Sequence, residues 1–212
     1  MALGVYLGAG TGATKGLWHL DGSSADSSGN ANNGTDTSVS YSKVDGFYDQ
    51  GATMTTSSKI SCGTSSTLQQ SIFTYVARIN TTDTSVNKSI IIAGMGGNSP
   101  QWRIETSLKQ QLNKQGVAGI ATSTTAVSSG VSTTVAVSYN NSSGVCTFYL
   151  NGAADGGATS AQTFTFGTFQ IGNVTSESYV GKVDEVIVEN YVWTALQHRR
   201  HYTYAKGRFG IL

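Results

Sequence analysis

The segment GKVDEVIVEN, residues 181–190, places three carboxylates on a stretch that alternates like a β-strand. Successive side chains on a strand point to opposite faces, so Asp184 would share a face with two valines and Glu185 with Glu189. The carboxylates of glycosidases lie about 5–5.5 Å apart in retaining enzymes and about 6.5–9.5 Å apart in inverting ones. At about 3.3 Å per residue, Glu185 and Glu189 would lie roughly 13 Å apart. We therefore expect a solvated sheet face and no glycosidase.

Asp184 is expected to face the core together with the valines. A buried carboxylate is unfavourable unless it is paired, hydrogen-bonded or bound to a metal. Three partners would satisfy it: an arginine, backbone N–H groups of a neighbouring loop, or a structural Ca²⁺. Calcium takes about six to eight oxygen ligands, and Asp21, Asp26 and Asn30 in HLDGSSADSSGNANNG could supply some of them. For Asp26 and Asn30, the commoner role is to organise a turn.

His198 and His201 stand three residues apart beside Arg199 and Arg200, in a segment that is predicted to be helical. A helical zinc pair usually has its histidines four residues apart and needs a third ligand, so we expect a solvated basic helix instead. Such a helix could bind phosphate or an acidic protein surface. A formal net charge of +1 gives no general indication of nucleic-acid binding, and we predict no nucleic-acid partner.

Two aromatic residues are candidates for stacking against a sugar, Trp102 in NSPQWRIE and Tyr179. Carbohydrate sites combine such rings with asparagine, aspartate or glutamine side chains. The alternative for Trp102 is an ordinary sheet aromatic, and we favour that alternative. The two cysteines, Cys62 and Cys146, are too few to form a metal site by themselves. We expect Cys146 to be reduced and buried, although a bridge between the two cysteines is an alternative.

The composition predicts strands joined by neutral polar loops. The chain has 212 residues, enough for one large domain, and only 12% of them are charged. The low share of charged residues is made up by glycine, with 26 copies, and by serine, threonine and asparagine. No stretch approaches the ~18 apolar residues of a transmembrane helix, and the N-terminus does not resemble a signal peptide. If Met1 is native, we expect a protein that is made in a cytoplasm and not inserted in a membrane.

Apolar alternation between turn residues predicts ten strands. They lie at 16–22, 58–63, 72–80, 88–95, 101–107, 116–122, 133–140, 144–152, 164–173 and 179–190. Because no helices separate them, they predict one all-β domain over 16–212, a sandwich of two antiparallel sheets, after a glycine-rich arm at 1–15. YNNSSGVC predicts a tight hairpin. One short C-terminal helix is predicted at 194–207, with Thr194 as its cap and Gly207 at its end.

Three segments share the features of one known family: GLWHLDGSSADSSGNANNGT, TTVAVSYNNSSGVCTFYLNG and YVGKVDEVIVENYVWTALQHRRHY. Together they resemble a laminin-G-like, concanavalin A-like jelly-roll domain, which has D-x-S-G-N after an early Trp, a hairpin that ends in Y-x-N-G, and a closing G-x-[IV]-D-E-V strand. The resemblance covers most of residues 16–206. It implies that Asp184 corresponds to a strand residue that can help hold a structural calcium, with Asp21 at the acidic position after the Trp.

The resemblance implies two non-enzymatic functions. Relatives include virion proteins of tailed bacteriophages. The low charge and the absence of a signal peptide favour a virion component, such as a capsid decoration, tail or fibre protein, that binds other subunits and forms homo-oligomers. Residues 1–14 and the helix residues His198, Arg199 and Arg200 are the expected contacts. The alternative is an extracellular, lectin-like module that binds cell-surface or extracellular glycans through Trp102 and Tyr179.

Overall fold

The structure is a computed structural model that describes residues 13–43, 49–94, 96–172 and 176–208. Over these residues the chain forms fifteen strands, a 3-10 turn at Ser66–Leu68 and one α-helix. The strands are β1 (Thr14–Trp18), β2 (Thr35–Thr37), β3 (Ser40–Ser42), β4 (Gly51–Met54), β5 (Lys59–Ser61), β6 (Ile72–Asn80), β7 (Lys88–Ala93), β8 (Pro100–Ile104), β9 (Lys109–Lys114), β10 (Ala118–Ala126), β11 (Thr133–Asn140), β12 (Val145–Leu150), β13 (Ala153–Thr159), β14 (Phe169–Gly172) and β15 (Gly181–Glu189). Helix α1 spans Ala195–Arg208.

The described strands form two antiparallel sheets. The eight-stranded sheet has the order β13-β12-β11-β6-β15-β4-β3, and β1 pairs with the second half of β15. The seven-stranded sheet has the order β10-β9-β8-β7-β14-β5-β2. The prediction of an all-β jelly-roll sandwich with one C-terminal helix is confirmed.

Strands that the sequence did not predict lack apolar alternation. β2 (TDT) is exposed and polar, and β3 (SYS) and β9 (KQQLNK) are also mainly polar. β13 (AADGGAT) is mostly alanine and glycine, and β14 is shorter than predicted. β1 begins at Thr14, so the last two residues of the predicted arm belong to the sandwich; residues 1–12 lie outside the described residues.

The inner core lies between the two sheets and is almost entirely apolar. One row of side chains crosses the seven-stranded sheet from Ile60 through Ile171, Ile91 and Trp102 to Leu112, in direct cross-strand register. All five are fully buried. Burying each large apolar side chain stabilises the fold by about 1.5–3 kcal/mol, so this core is the main source of stability.

Helix α1 covers the outer face of the eight-stranded sheet and closes a second, smaller core. That core consists of Leu17, Val76, Ala136, Tyr149, Ile187 and Trp193. Thr194 caps the helix as predicted: its Oγ1 accepts from the Gln197 amide, and the Gln197 side chain accepts from the Thr194 amide. The helix spans Ala195–Arg208, which is one residue past the predicted end at Gly207. Within the described ranges, no helix is both long and apolar enough to cross a membrane.

A β-bulge in β15 changes which residues share a face. The register between β15 and β6 shifts between Asp184 and Ile187, and Glu185 adopts a positive φ of 49°. The extra residue lets Val183 and Val186 both enter the inner core. Asp184 therefore does not share the face of the valines; it lies on the outer face, opposite Arg78 of β6. Strict alternation was wrong here because it cannot anticipate a bulge.

The outer face of the seven-stranded sheet is polar and hydrogen-bonded within itself. Gln101 donates to Ser89 (2.5 Å) and to Glu177 (2.6 Å), and it accepts from Asn113 (3.1 Å). Glu177 also forms a salt bridge with Arg103 at 2.5 Å. Gln101, Ser89 and Asn113 are buried, so these amide groups satisfy one another.

Both cysteines are free thiols in the inner core. Cys62 and Cys146 are buried and form no disulfide, which confirms the expectation for Cys146 and excludes the alternative bridge. Burial raises the pKa of the Cys146 thiol to about 12 and also raises that of Cys62. Neither sulfur is positioned for thiolate chemistry.

Candidate functional site

A groove of about 620 Å³ lies between helix α1 and the turn that joins β12 to β13. The turn consists of Asn151 and Gly152, and the helix presents one side to it. The groove is lined by Asn151, Gly152, Ala153, Ala154, Ala195, Leu196, Arg199, Tyr202 and Thr203. Of the contact residues predicted from the sequence, Arg199 lies in this groove and Arg200 is exposed beside it.

The turn on one side of the groove is a two-residue hairpin connection. Leu150 pairs with Ala153, and the two residues between them have positive φ, 49° at Asn151 and 79° at Gly152. Asn-Gly is the preferred sequence for such a turn, because both residues tolerate the left-handed backbone region. The Asn151 amide donates to the Thr134 carbonyl, and its side-chain oxygen accepts from the Thr134 amide. Two hydrogen bonds thus hold the turn to β11.

Gly152 allows the helix to approach this turn closely. A Cβ atom at this position would lie 2.8 Å from Tyr202 Cβ and 3.1 Å from both Arg199 Cα and the His198 carbonyl oxygen. These separations are too short for ordinary packing. Only glycine therefore combines the positive φ with contact to α1, and the shape of the groove depends on it.

The helix side of the groove is formed by residues about three to four positions apart. Leu196, Arg199 and Thr203 are exposed, and Tyr202 is partly buried. His198 and His201 lie on the opposite side of the helix and are buried against the sheet. The expectation of a solvated helix was therefore wrong for both histidines, and His198 is not a surface contact. Because they are three residues apart, the two histidines lie on the same side of the helix. On that side their imidazole rings pack against tryptophan and tyrosine rings that lie beneath the helix.

A layer of aromatic and hydroxyl groups lies beneath the helix. The His198 ring stacks on Tyr149 with a centroid distance of 3.5 Å, and its Nε2 lies 3.0 Å from Ser138 Oγ. Ser138 Oγ also forms a hydrogen bond with Thr74 Oγ1 at 2.9 Å, and Thr74 Oγ1 accepts from the Trp193 amide. This chain connects the helix to β11, β6 and the segment after β15.

Burial keeps the two helix histidines neutral. It lowers the pKa of His198 to about 3, with a further contribution from His201. It also lowers the pKa of His201 to about 4, against the opposing effect of Glu185. At neutral pH the positive charge around the groove therefore comes from Arg199 and Arg200.

The carboxylates of β15 are buried and lie outside the groove. Glu185 contacts His19 Nδ1 at 3.1 Å, and Glu189 accepts from Thr14 Oγ1 at 2.8 Å. Both glutamates are buried, so the expected solvated face is wrong; strand β1 pairs alongside them. Burial raises the pKa of Glu189 to about 7. Neither carboxylate lines the groove, where a substrate could reach it.

Asp184 is fully buried and is bound by protein groups. Its Oδ1 accepts from the Glu185 amide at 2.8 Å, and the cross-strand residue is the buried Arg78. Burial lowers the pKa of Arg78 to about 10, and Asp184 opposes that shift. Asp21 accepts from the Gln50 amide. The surroundings of Asp184 do not fit Ca²⁺, because one of its oxygens already accepts from a backbone amide and an arginine lies across from it. In the described part of the chain, no group of three or more His, Cys, Asp or Glu side chains could hold a metal ion.

Asp26 has the turn-forming role that its sequence context favoured. Its Oδ1 accepts from the amides of Leu17 and Ser28, and its Oδ2 accepts from the Asn32 amide. Asn30 donates its side-chain amide to the Thr14 carbonyl. The loop after β1 is thus organised by its own aspartate and asparagines.

Trp102 and Tyr179 are both fully buried and are not accessible to a sugar. Trp102 belongs to the inner core, as the sheet-aromatic alternative stated. The Tyr179 hydroxyl contacts the carbonyl oxygens of Asn80 (3.3 Å) and Lys182 (3.2 Å). The aromatic ring that does line the groove, Tyr202, was missed. Its position three residues after Arg199 and the Asn-Gly of YLNG were the available signals.

Residues 50–197 match a laminin G family model that is described as the concanavalin A-like lectin/glucanases superfamily. No curated protein sequence matches the chain. Among solved structures, domain 4 of AbnA, an extracellular GH43 arabinanase from Geobacillus stearothermophilus in complex with arabinotriose, is 18% identical with a TM-score of 0.65. The match covers 88% of this chain and 96% of that domain.

Two further similar structures are larger than the matched region. A mutant of Trypanosoma rangeli sialidase displaying trans-sialidase activity is 12% identical with a TM-score of 0.70, and 94% of this chain matches 34% of it. The binding domain of Paraclostridial mosquitocidal protein 1 is 13% identical with a TM-score of 0.67, and 91% of this chain matches 52% of it. At these identities, the similarities establish a shared fold.

Proposed function

Because this chain belongs to the concanavalin A-like lectin/glucanases superfamily through its laminin G family match, we propose that it is a non-catalytic carbohydrate-binding domain. The observation that carries the proposal is the open groove beside helix α1, with Tyr202, Arg199 and Asn151 in its walls. The similar arabinanase domain, which is in complex with arabinotriose, supports the same class of ligand.

The groove has the chemical groups that saccharide recognition uses. The Tyr202 ring supplies a flat apolar surface for the C–H face of a sugar ring. Asn151 and Arg199 bring amide and guanidinium groups to opposite walls, where they can hydrogen-bond to hydroxyls. Ala153, Ala154 and Ala195 keep the walls low, which leaves room for a ring rather than for a single ion.

The lining of the groove supports a non-catalytic role. None of the lining residues is acidic, whereas glycoside hydrolysis normally needs two carboxylates beside the bond. The raised pKa of Glu189 would suit a general acid, but the residue is buried outside the groove. Ser138 and His198 resemble a nucleophile and its base, but both are buried between the helix and the sheet.

A glycan array followed by calorimetry tests the proposal. We expect at least one oligosaccharide to bind, and Tyr202→Ala to weaken binding by about two- to tenfold, since stacking on one aromatic residue contributes about 0.5–1.5 kcal/mol. Tyr204→Ala is the matched control, because Tyr204 is exposed on the same helix outside the groove. Equal losses in both variants, or no oligosaccharide bound, would contradict the proposal. Thermal unfolding of both variants establishes that they fold.

The role of a virion component, predicted from the sequence, remains a second proposal. Its support is the composition and the resemblance to a domain family that includes virion proteins of tailed bacteriophages, together with the exposed apolar side chains of Val192 and Leu196. These groups suit contact with another protein subunit. Mass spectrometry of purified particles tests it directly, and absence of the protein from particles would eliminate this role while leaving glycan binding unaffected.

A further inference from the structure

The charged residues of helix α1 all have one sign. The sequence of helix α1, ALQHRRHYTYAKGR, contains four arginines and lysines and no aspartate or glutamate. One of these cations, Arg199, lies in the wall of the groove, and none of the other lining residues is charged. A ligand in this groove therefore meets a guanidinium that no neighbouring acid in the wall neutralises.

The carboxylates of the neighbouring strands are engaged elsewhere. Asp155, which follows the groove residue Ala154, is buried and accepts from the Thr125 amide at 3.0 Å. Glu185 is paired with His19, and Asp184 lies across from Arg78. Among the described residues, no carboxylate lies within salt-bridge distance of Arg199. The guanidinium is exposed, so it can accept an anionic partner without first losing an internal one.

We infer that the groove binds an acidic saccharide, whose carboxylate or sulfate group pairs with Arg199 while its ring packs on Tyr202. This inference rests on the proposed carbohydrate-binding function and specifies its ligand class. Residues three positions apart on a helix have Cβ atoms about 5–6 Å apart, so one monosaccharide can reach both side chains. The planar guanidinium can bind either anion through two parallel hydrogen bonds.

Arg200 separates this specific pairing from general attraction to polyanions. It is exposed like Arg199 but lies outside the groove, so it contributes the same charge without contact to a bound ring. If the basic helix attracted any polyanion, the affinity would depend equally on both arginines. An acidic saccharide seated in the groove depends on Arg199 alone.

Paired ligands that differ only in charge provide the test on the full chain. Oligogalacturonate is compared with its methyl ester, and a heparin-derived oligosaccharide with its desulfated form. These two pairs distinguish a carboxylate ligand from a sulfate ligand. We expect at least one acidic member to bind about tenfold or more tightly than its neutral partner. Arg199→Gln should remove most of that preference, and Arg200→Gln should change affinity less than about twofold.

Three results would overturn the inference. In the first, the acidic and neutral ligands of each pair bind equally and Tyr202→Ala still reduces affinity. The proposed carbohydrate-binding function would then stand, and only the preference for an acidic saccharide would be wrong. Equal losses in Arg199→Gln and Arg200→Gln would indicate attraction to polyanions, or to an acidic protein surface. Binding to no saccharide on the array would remove the proposed function as well.

Discussion

The two sheets close their outer faces in different ways. The eight-stranded sheet is covered by a helix that docks through a few contacts, chiefly Gly152, Trp193 and His198. The seven-stranded sheet is covered by its own side chains, in a network that includes Gln101 and Glu177. The docked helix leaves an open edge, and the groove lies there. On the seven-stranded sheet, the side chains around Gln101 hydrogen-bond to one another instead. We therefore expect substitutions on the helix-covered face to change both saccharide binding and stability. Substitutions on the amide face should change stability alone.

The largest expected effect comes from closing the space between turn and helix. Gly152→Ala places a Cβ 2.8 Å from Tyr202 Cβ in a backbone with φ of 79°, so the helix must move. Gly63 has nearly the same φ, 78°, and a Cβ added there would have no atom within 4 Å, so Gly63→Ala measures the backbone cost alone. We expect about 3 kcal/mol of destabilisation for the first variant and about 1 kcal/mol for the second, in urea unfolding.

The same pair tests whether the groove depends on the docked helix. Saccharide binding should be lost in Gly152→Ala and retained in Gly63→Ala. Equal stability losses in the two variants would show that close helix packing at the turn contributes little, and the contrast between the two faces would then fail.

Acid should weaken the helix-covered face specifically. The pKa values of His198 and His201, about 3 and 4 in the folded chain, lie below the ordinary 6.5. Between these values the unfolded chain binds protons that the folded chain does not, so stability is lost as pH falls from about 6.5 towards 4. Glu189 acts in the opposite sense, because its folded pKa of about 7 exceeds 4.5. The stability it contributes is present below about 4.5 and is lost as pH rises through 7.

Combining these opposing effects, we expect a net loss of about 2 kcal/mol between pH 7 and pH 5, measured by urea unfolding at each pH. Glu189→Gln should increase that loss, since it removes the group whose protonation favours folding. A stability that stays constant from pH 7 to pH 5 in both proteins would contradict the neutral, buried state of the two histidines.

Single substitutions on the amide face should have smaller consequences. Gln101→Leu removes the acceptor of Asn113 and the donor to Ser89 and Glu177, which leaves buried polar groups without that partner. We expect about 1–2 kcal/mol of destabilisation and unchanged saccharide affinity. A loss of binding in this variant would mean that the ligand site extends to the seven-stranded sheet.

The sequence predicted the features that depend on local pattern. The alternation of β6 and β11, the hairpin after Asn140 and the cap at Thr194 follow from side-chain periodicity and turn chemistry, and all are observed. Features that depend on distant contacts were missed. The bulge at Glu185 has no glycine to mark it, and it decides which face Asp184 occupies. The inward orientation of His198 depends on Tyr149, which lies about fifty residues earlier in the chain.

The smallest expected effect is that of removing divalent metal. The resemblance implied calcium at Asp184 and Asp21, yet Asp184 already accepts from a backbone amide and lies opposite Arg78. A cation beside that buried guanidinium would be repelled at short range. A ligand that binds only the folded state raises stability, so a protein that binds no Ca²⁺ should be unaffected by its removal or addition. We therefore expect excess chelator to shift the melting temperature by less than about 1 °C, and added Ca²⁺ to have no larger effect. A chelator-induced drop that Ca²⁺ reverses, and that Asp184→Asn abolishes, would show instead that the outer face is closed by a metal as well as by the helix.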